Sequence, residues 1–176
     1  MNAPIDLRAR LRPTLPGLVL AILTILFGQG IGVVFGAAES DFKGALKDRA
    51  AAVATTVYEG DATKAKSVLD KSWTYMKRAH LHAGAMGTTA VALILLLAAV
   101  GAGAGIARIL SLALGAGGLG YSIYWLWAGF KAPGLGGTGA AKEALAWLAL
   151  PSVSLFCLAT LACLGVAIVR LTGSPK

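Results

Sequence analysis

Four stretches of the chain, 13–38, 79–107, 109–130 and 144–169, contain no Asp, Glu, Lys or Arg and are dominated by aliphatic, small and aromatic residues. Each exceeds the roughly 20 residues an α-helix needs to cross about 30 Å of hydrocarbon. The pattern predicts an all-α integral membrane protein: a four-helix bundle with transmembrane helices at about 17–37, 80–101, 107–130 and 143–170. All 176 residues then form a single membrane domain.

Between the first two spans lies the only sizeable polar segment, 41–79, where a helical hairpin outside the membrane is expected. Phe42, Leu46, Val53 and Val57 fall on one helical face, and Gly60 ends that pattern. Asp61 is suited to cap a second helix with Ala65, Val68, Leu69, Ser72, Trp73 and Met76 on one stripe. No Pro or Gly interrupts 61–83, so this helix should run without a break into the second span. The segment "GAGAGIAR" makes a tight turn between the second and third spans, and Pro151 is expected to kink the fourth.

Composition fits this picture. Hydrophobic residues make up 57% and charged residues 14%, against about 45–50% and about 25% in soluble proteins. The 23 glycines suit a membrane bundle, where small residues let backbones approach. Gly28, Gly32 and Gly36, at i, i+4 and i+8, place a glycine-zipper stripe on the first helix for helix packing, and Gln29 is that helix's one strongly polar interior side chain. The first run is too long for the apolar core of a signal peptide. Cys157 and Cys163, about 240° apart on an ideal helix, read as packed thiols rather than a disulfide.

The net charge of +8 comes from basic residues scattered in loops and termini. Without a basic patch interleaved with aromatics, lipid headgroups are the expected partner and nucleic acid is not. Four spans place both termini on one side and loops 38–79 and 131–142 on the other. The interfacial aromatics Trp73, Tyr75, Tyr121, Tyr124, Trp125, Trp127 and Trp147, with Tyr58 and both histidines, gather at the loop side. An ordinary aromatic belt populates both interfaces, so that end is where specific binding is expected. Arg8, Arg10 and Arg12 before the first span favour cytoplasmic termini and periplasmic loops in a bacterial inner membrane. The loop side nevertheless carries ten Lys/Arg against six on the terminal side, which opposes that orientation.

The stretch "HLHAGAM" (80–86) concentrates candidate chemistry. In a helix His80 and His82 point about 200° apart, so they do not chelate one metal together. Spacing instead yields two soft-ligand pairs, Met76/His80 and His82/Met86. Imidazole with thioether suits copper. Haem needs axial ligands on opposite sides of the iron, hence a ligand from a second chain. Glu143, Glu39 or Asp41 would have to complete a metal site from the same side. Ordinary packing also accounts for each residue: His80 continues an apolar stripe, and His82 suits the headgroup level. A quinone or other small ligand among His, Tyr and Trp is a further possibility.

No Ser/His/Asp or Cys/His constellation supports hydrolysis, and no charge lies mid-helix as coupled transport usually requires. "GLGGTGAAKE" lacks the spacing of a phosphate-binding loop. The expectation is a small, non-catalytic accessory or structural subunit of a larger membrane assembly, associating with other integral membrane subunits or with itself. The alternative is a copper- or haem-binding redox-associated protein with its site around His80, His82 and Met86.

Overall fold

The computed structural model describes residues 6–173, and every regular element among them is helical. A short α1 (Leu7–Leu11) passes through a 3₁₀ turn (Arg12–Thr14) into α2 (Leu15–Ala37), where Pro13 and Pro16 sit at starts that need no backbone N–H donor. After a bend at Ala38 come α3 (Glu39–Ala51), α4 (Ala62–Ala99), α5 (Ala104–Lys131), α6 (Thr138–Ala144) and α7 (Ala146–Thr172). Four helical stretches, Leu7–Ala37, α4, α5 and α7, are long and apolar enough to cross a membrane. Their outward faces carry Leu, Ile and Val, as on α7 with Leu150, Leu155, Leu158, Leu161 and Leu164. Such a surface suits lipid rather than water.

Helix α5 is the centre of the bundle, touching α2, α4 and α7. Its small residues make this possible. A Cβ on Gly115 would lie 2.6 Å from the Gly17 carbonyl oxygen of α2, and one on Gly117 would lie 2.7 Å from the Ser152 carbonyl oxygen of α7. Across the first of these contacts, Gly17 backs directly onto the Ser111 backbone. Ala21, Ala90, Ile94, Leu97, Leu114, Ala159 and Cys163 fill the space between these helices. At the terminal side the Arg10 guanidinium donates to the carbonyls of Ala98 (3.2 Å) and Ala99 (3.0 Å). Ala98 already accepts from the Gly101 N–H at 3.2 Å, so the guanidinium adds a second donor there and supplies one to Ala99, at a helix end where a cation is also favoured by the dipole.

Helix α4 is one uninterrupted 38-residue rod, with the Asp61 carboxylate accepting from the Lys64 N–H at its start. Packed beside its first half, α3 places Leu46 and Ala50 against it, but the helix stops at Ala51 and does not continue to Val57. Residues 52–60 form successive turns ending in Glu59 (φ 55°) and Gly60 (φ 78°). The side chain that seats this turn is Tyr58, fully buried, its hydroxyl donating to the Pro133 carbonyl at 2.6 Å. Loops 52–60 and 132–137 are therefore joined to each other as well as to α4. The fourth span also starts differently from the expectation of one helix from 143. Two helices, α6 and α7, meet at buried Leu145 (φ −112°), and Pro151 lies inside α7 without ending it.

Candidate functional site

The histidines of "HLHAGAM" face different helices, as the helical phase requires. His80 turns to α2, where its Nδ1–H donates to the Gly28 carbonyl at 2.7 Å. Because a carbonyl only accepts, Nδ1 carries the proton of this bond, and Nε2 is left without a partner on α2. The imidazole lies against Gly32, whose missing side chain makes the room: a Cβ there would sit 2.7 Å from His80 Cε1. One turn earlier, Gly28 receives Ala83 in the same way at 2.8 Å. Gly36 has nothing within 4 Å of its Cβ position, so the glycine series contacts α4 at two of its three positions.

His82 turns to α5 instead, 5.3 Å from the Tyr121 ring and 5.5 Å from that of Trp125. Met86 follows on the same side, near Gly118. Met76 is buried against Gly129 and within the Phe35–Leu46 cluster, while its helical neighbour His80 engages α2. Glu143 is exposed on α6, and Glu39 and Asp41 are exposed on α3. Among the described residues, no three His, Cys, Asp or Glu side chains come together as a metal-binding group.

Around His82 the aromatic residues form a continuous cluster. Tyr75 stands edge-on to Trp125 at 4.8 Å, Tyr124 lies 5.2 Å from it, and Tyr121 stacks on Tyr124 at 5.6 Å. The Arg78 guanidinium lies 5.0 Å from the Trp125 ring and 5.2 Å from Tyr75, in cation–π range of both. Trp125 is buried and its indole N–H finds no acceptor among the described residues. Trp127 and Trp147 form a separate pair at 6.4 Å. Trp73 belongs to a third group, 5.0 Å from Phe35.

Trp73 also floors a groove outside the bundle. Between α3 and α4 runs a groove of about 380 Å³ with Leu46, Leu69 and Trp73 at its base and Lys43, Lys47, Lys66 and Lys77 around its rim. Lys66 pairs with Asp70 at 3.0 Å, and Lys43 pairs with Glu39 while standing 5.4 Å from the Trp73 ring. Among the described residues, Lys47 and Lys77 have no carboxylate within ion-pair distance. Sequence reading missed this groove. Its signal was present as Lys43 and Lys47 one turn apart and Lys66, Thr74 and Lys77 on one face of α4, but pairing two helices across it needs the tertiary structure.

The arrangement offers apolar and cationic docking surfaces and one oriented imidazole. Compared with known proteins, the chain matches no family model, no curated protein and no solved structure.

Proposed function

We propose that this chain is a small, non-catalytic subunit of a larger integral membrane assembly, held in the bilayer by its four apolar helices and docking a partner through the layer outside it. The observation that supports this reading most is the groove between α3 and α4, with its apolar floor and four-lysine rim. That combination fits an amphipathic partner helix with acidic flanks, which buries its apolar side on Leu46, Leu69 and Trp73 and sets its carboxylates against Lys47 and Lys77. The layer presenting the groove is braced by the Tyr58–Pro133 hydrogen bond, so little ordering entropy is lost on docking.

Native purification in lipid particles tests the proposal. The expected result is a fixed set of membrane partners whose association falls at higher salt and is lost in Lys47→Glu/Lys77→Glu. A protein that purifies alone from its native membrane overturns it. The proposed orientation, with termini in the cytoplasm and loops 38–79 and 131–142 in the periplasm of a bacterial inner membrane, is tested separately. A cysteine at exposed Ser67 should react with an impermeant reagent in intact cells, and labelling only after lysis reverses the orientation.

A second reading, copper or haem binding around His80, His82 and Met86, draws on one observation. Metal-bound histidines commonly donate their second N–H to a backbone carbonyl, as His80 does to Gly28. Stoichiometric copper or a Soret band lost in His82→Ala would favour it, and metal-free, colourless material would sink it.

A further inference from the structure

Lys71, Thr74, Tyr75 and Arg78 follow one another at steps of three and four residues, which gathers them on one face of α4. That face turns to α6. Between the two helices lies a cleft of about 430 Å³ lined by Asp70, Lys71, Thr74, Tyr75, Arg78 and Thr138, the first residue of α6. Asp70 and Thr74 also border the α3–α4 groove, but the two sites share no cation. We propose that this cleft binds the phosphate of an anionic phospholipid, held by Arg78 and Lys142, with Lys71 reaching the outer part of the headgroup.

Two cations from different helices converge on one buried ring. The Arg78 guanidinium of α4 lies 5.2 Å from the Tyr75 ring and 5.0 Å from that of Trp125, and the Lys142 ammonium of α6 lies 5.8 Å from the same Tyr75 ring. Cation–π contact fixes where these groups stand but brings no negative charge. Among the described residues, Lys71, Arg78 and Lys142 have no carboxylate within ion-pair distance, and Asp70, the acid in the cleft, pairs with Lys66 at 3.0 Å. Like charges gathered in this way repel, and a shared anion relieves that repulsion. The guanidinium fork matches two phosphate oxygens. The Thr74 hydroxyl already donates to the Asp70 carbonyl at 3.0 Å, which leaves Thr138 as the hydroxyl donor of the cleft.

Depth selects a lipid over a soluble phosphate ester. Arg78 is the last charged residue before the charge-free run 79–107, and Lys142 is the last cation before 144–169. Both therefore stand where hydrocarbon gives way to headgroups. One turn further along α4, Leu81 is 62% exposed, so acyl chains hanging from a phosphate at Arg78 meet an apolar surface. Lys71 lies about 10 Å outward along the helix from Arg78, within the span of the headgroup layer.

The cleft needs no partner subunit, so this proposal and the docking role of the α3–α4 groove fail independently. The test is native mass spectrometry of the full chain in detergent, titrated with dioleoyl phosphatidylglycerol and with dioleoyl phosphatidylcholine, which carry the same acyl chains. The anionic lipid should be retained in preference to the zwitterionic one. Lys71→Gln, Arg78→Gln and Lys142→Gln should each weaken its binding about 5-fold, from about 1 kcal/mol per cation beside an anionic lipid. Lys71 and Lys142 are exposed, so these two variants keep the fold even if Arg78→Gln loosens Tyr75 and Trp125. Arg78→Lys, which keeps the charge without the fork, should retain part of the affinity. Lys47→Gln/Lys77→Gln, which removes two charges from the neighbouring groove, should leave lipid binding unchanged, and sn-glycerol 3-phosphate should not displace the lipid. Equal retention of the two lipids, equal loss in the groove variant, or displacement by sn-glycerol 3-phosphate would each overturn the proposal.

Discussion

The Nδ1 of His80 and the carbonyl oxygen of Gly28 stand 2.7 Å apart, joining α4 to α2 where Gly32 clears space for the ring. The bond acts as a bracket between two of the long apolar helices. His80→Ala should cost about 1–3 kcal/mol from the lost hydrogen bond and the space left beside Gly32. His80→Asn, which presents an amide N–H near the position of Nδ1, should recover much of it. Thermal unfolding in detergent should rank wild type above Asn above Ala. An alanine variant as stable as wild type would show that the imidazole is held there for chemistry rather than for packing.

Tyr58 yields a prediction with a defined pH window. Burial raises its phenol above the ordinary value near 10, because ionising it would place charge in an apolar pocket and break its donation to Pro133. The folded state therefore binds this proton more tightly than the unfolded state. The associated stability is complete below about pH 10 and is lost as pH climbs through the raised folded value. Tyr58→Phe should cost about 1 kcal/mol or more at neutral pH by leaving the Pro133 carbonyl without its donor. The variant should also lack this alkaline loss, read by denaturation at stepped pH.

Arg10 holds the other end of α4. Losing its two hydrogen bonds to Ala98 and Ala99, in Arg10→Ala, should destabilise the protein by about 1–2 kcal/mol. Hydrogen exchange in the 98–103 turn should rise more than exchange in the middle of α4. Uniform exchange across both regions would show that Arg10 serves topology alone.

Gly17 faces the Ser111 backbone so closely that a side chain cannot enter without moving α2 from α5. Gly17→Val should therefore lower stability by about 1–3 kcal/mol through overpacking. The same change at Gly30, where nothing lies within 4 Å, should leave stability near wild type.

The four long apolar helices were legible because lipid excludes charge far more strongly than water does, and uncharged runs of more than 20 residues seldom arise outside a bilayer. The continuity of α4 was legible too, since neither Pro nor Gly interrupts 61–83. The end of α3 was not. Val53 and Val57 keep the helical spacing after the helix has stopped, because both still pack toward the core from the turns around Tyr58. The break at Leu145 carries no Gly or Pro at that position and arises where α6 and α7 bury one leucine between them. At the candidate site, helical phase separated His80 from His82 correctly. It could not reveal that His80 would find a carbonyl on α2 while Met76 turned to α5, because those choices depend on which neighbour stands at each face.

Helix α4 has a mechanical consequence. At about 1.5 Å per residue its 38 residues make a shaft of about 57 Å, gripped by the Arg10 carbonyl clamp at one end and the Asp61 cap beside the lysine-rimmed groove at the other. A shaft without a joint has no place to absorb rotation. If a bound partner tilts the outer end of α4 by about 5° about the His80 contact with α2, the two ends separate laterally by on the order of 5 Å, and the inner end swings opposite to the outer. A load on the groove end of α4 would then reach the Arg10 end by leverage, with Gly28 and Gly32 as the fulcrum on which His80 rests.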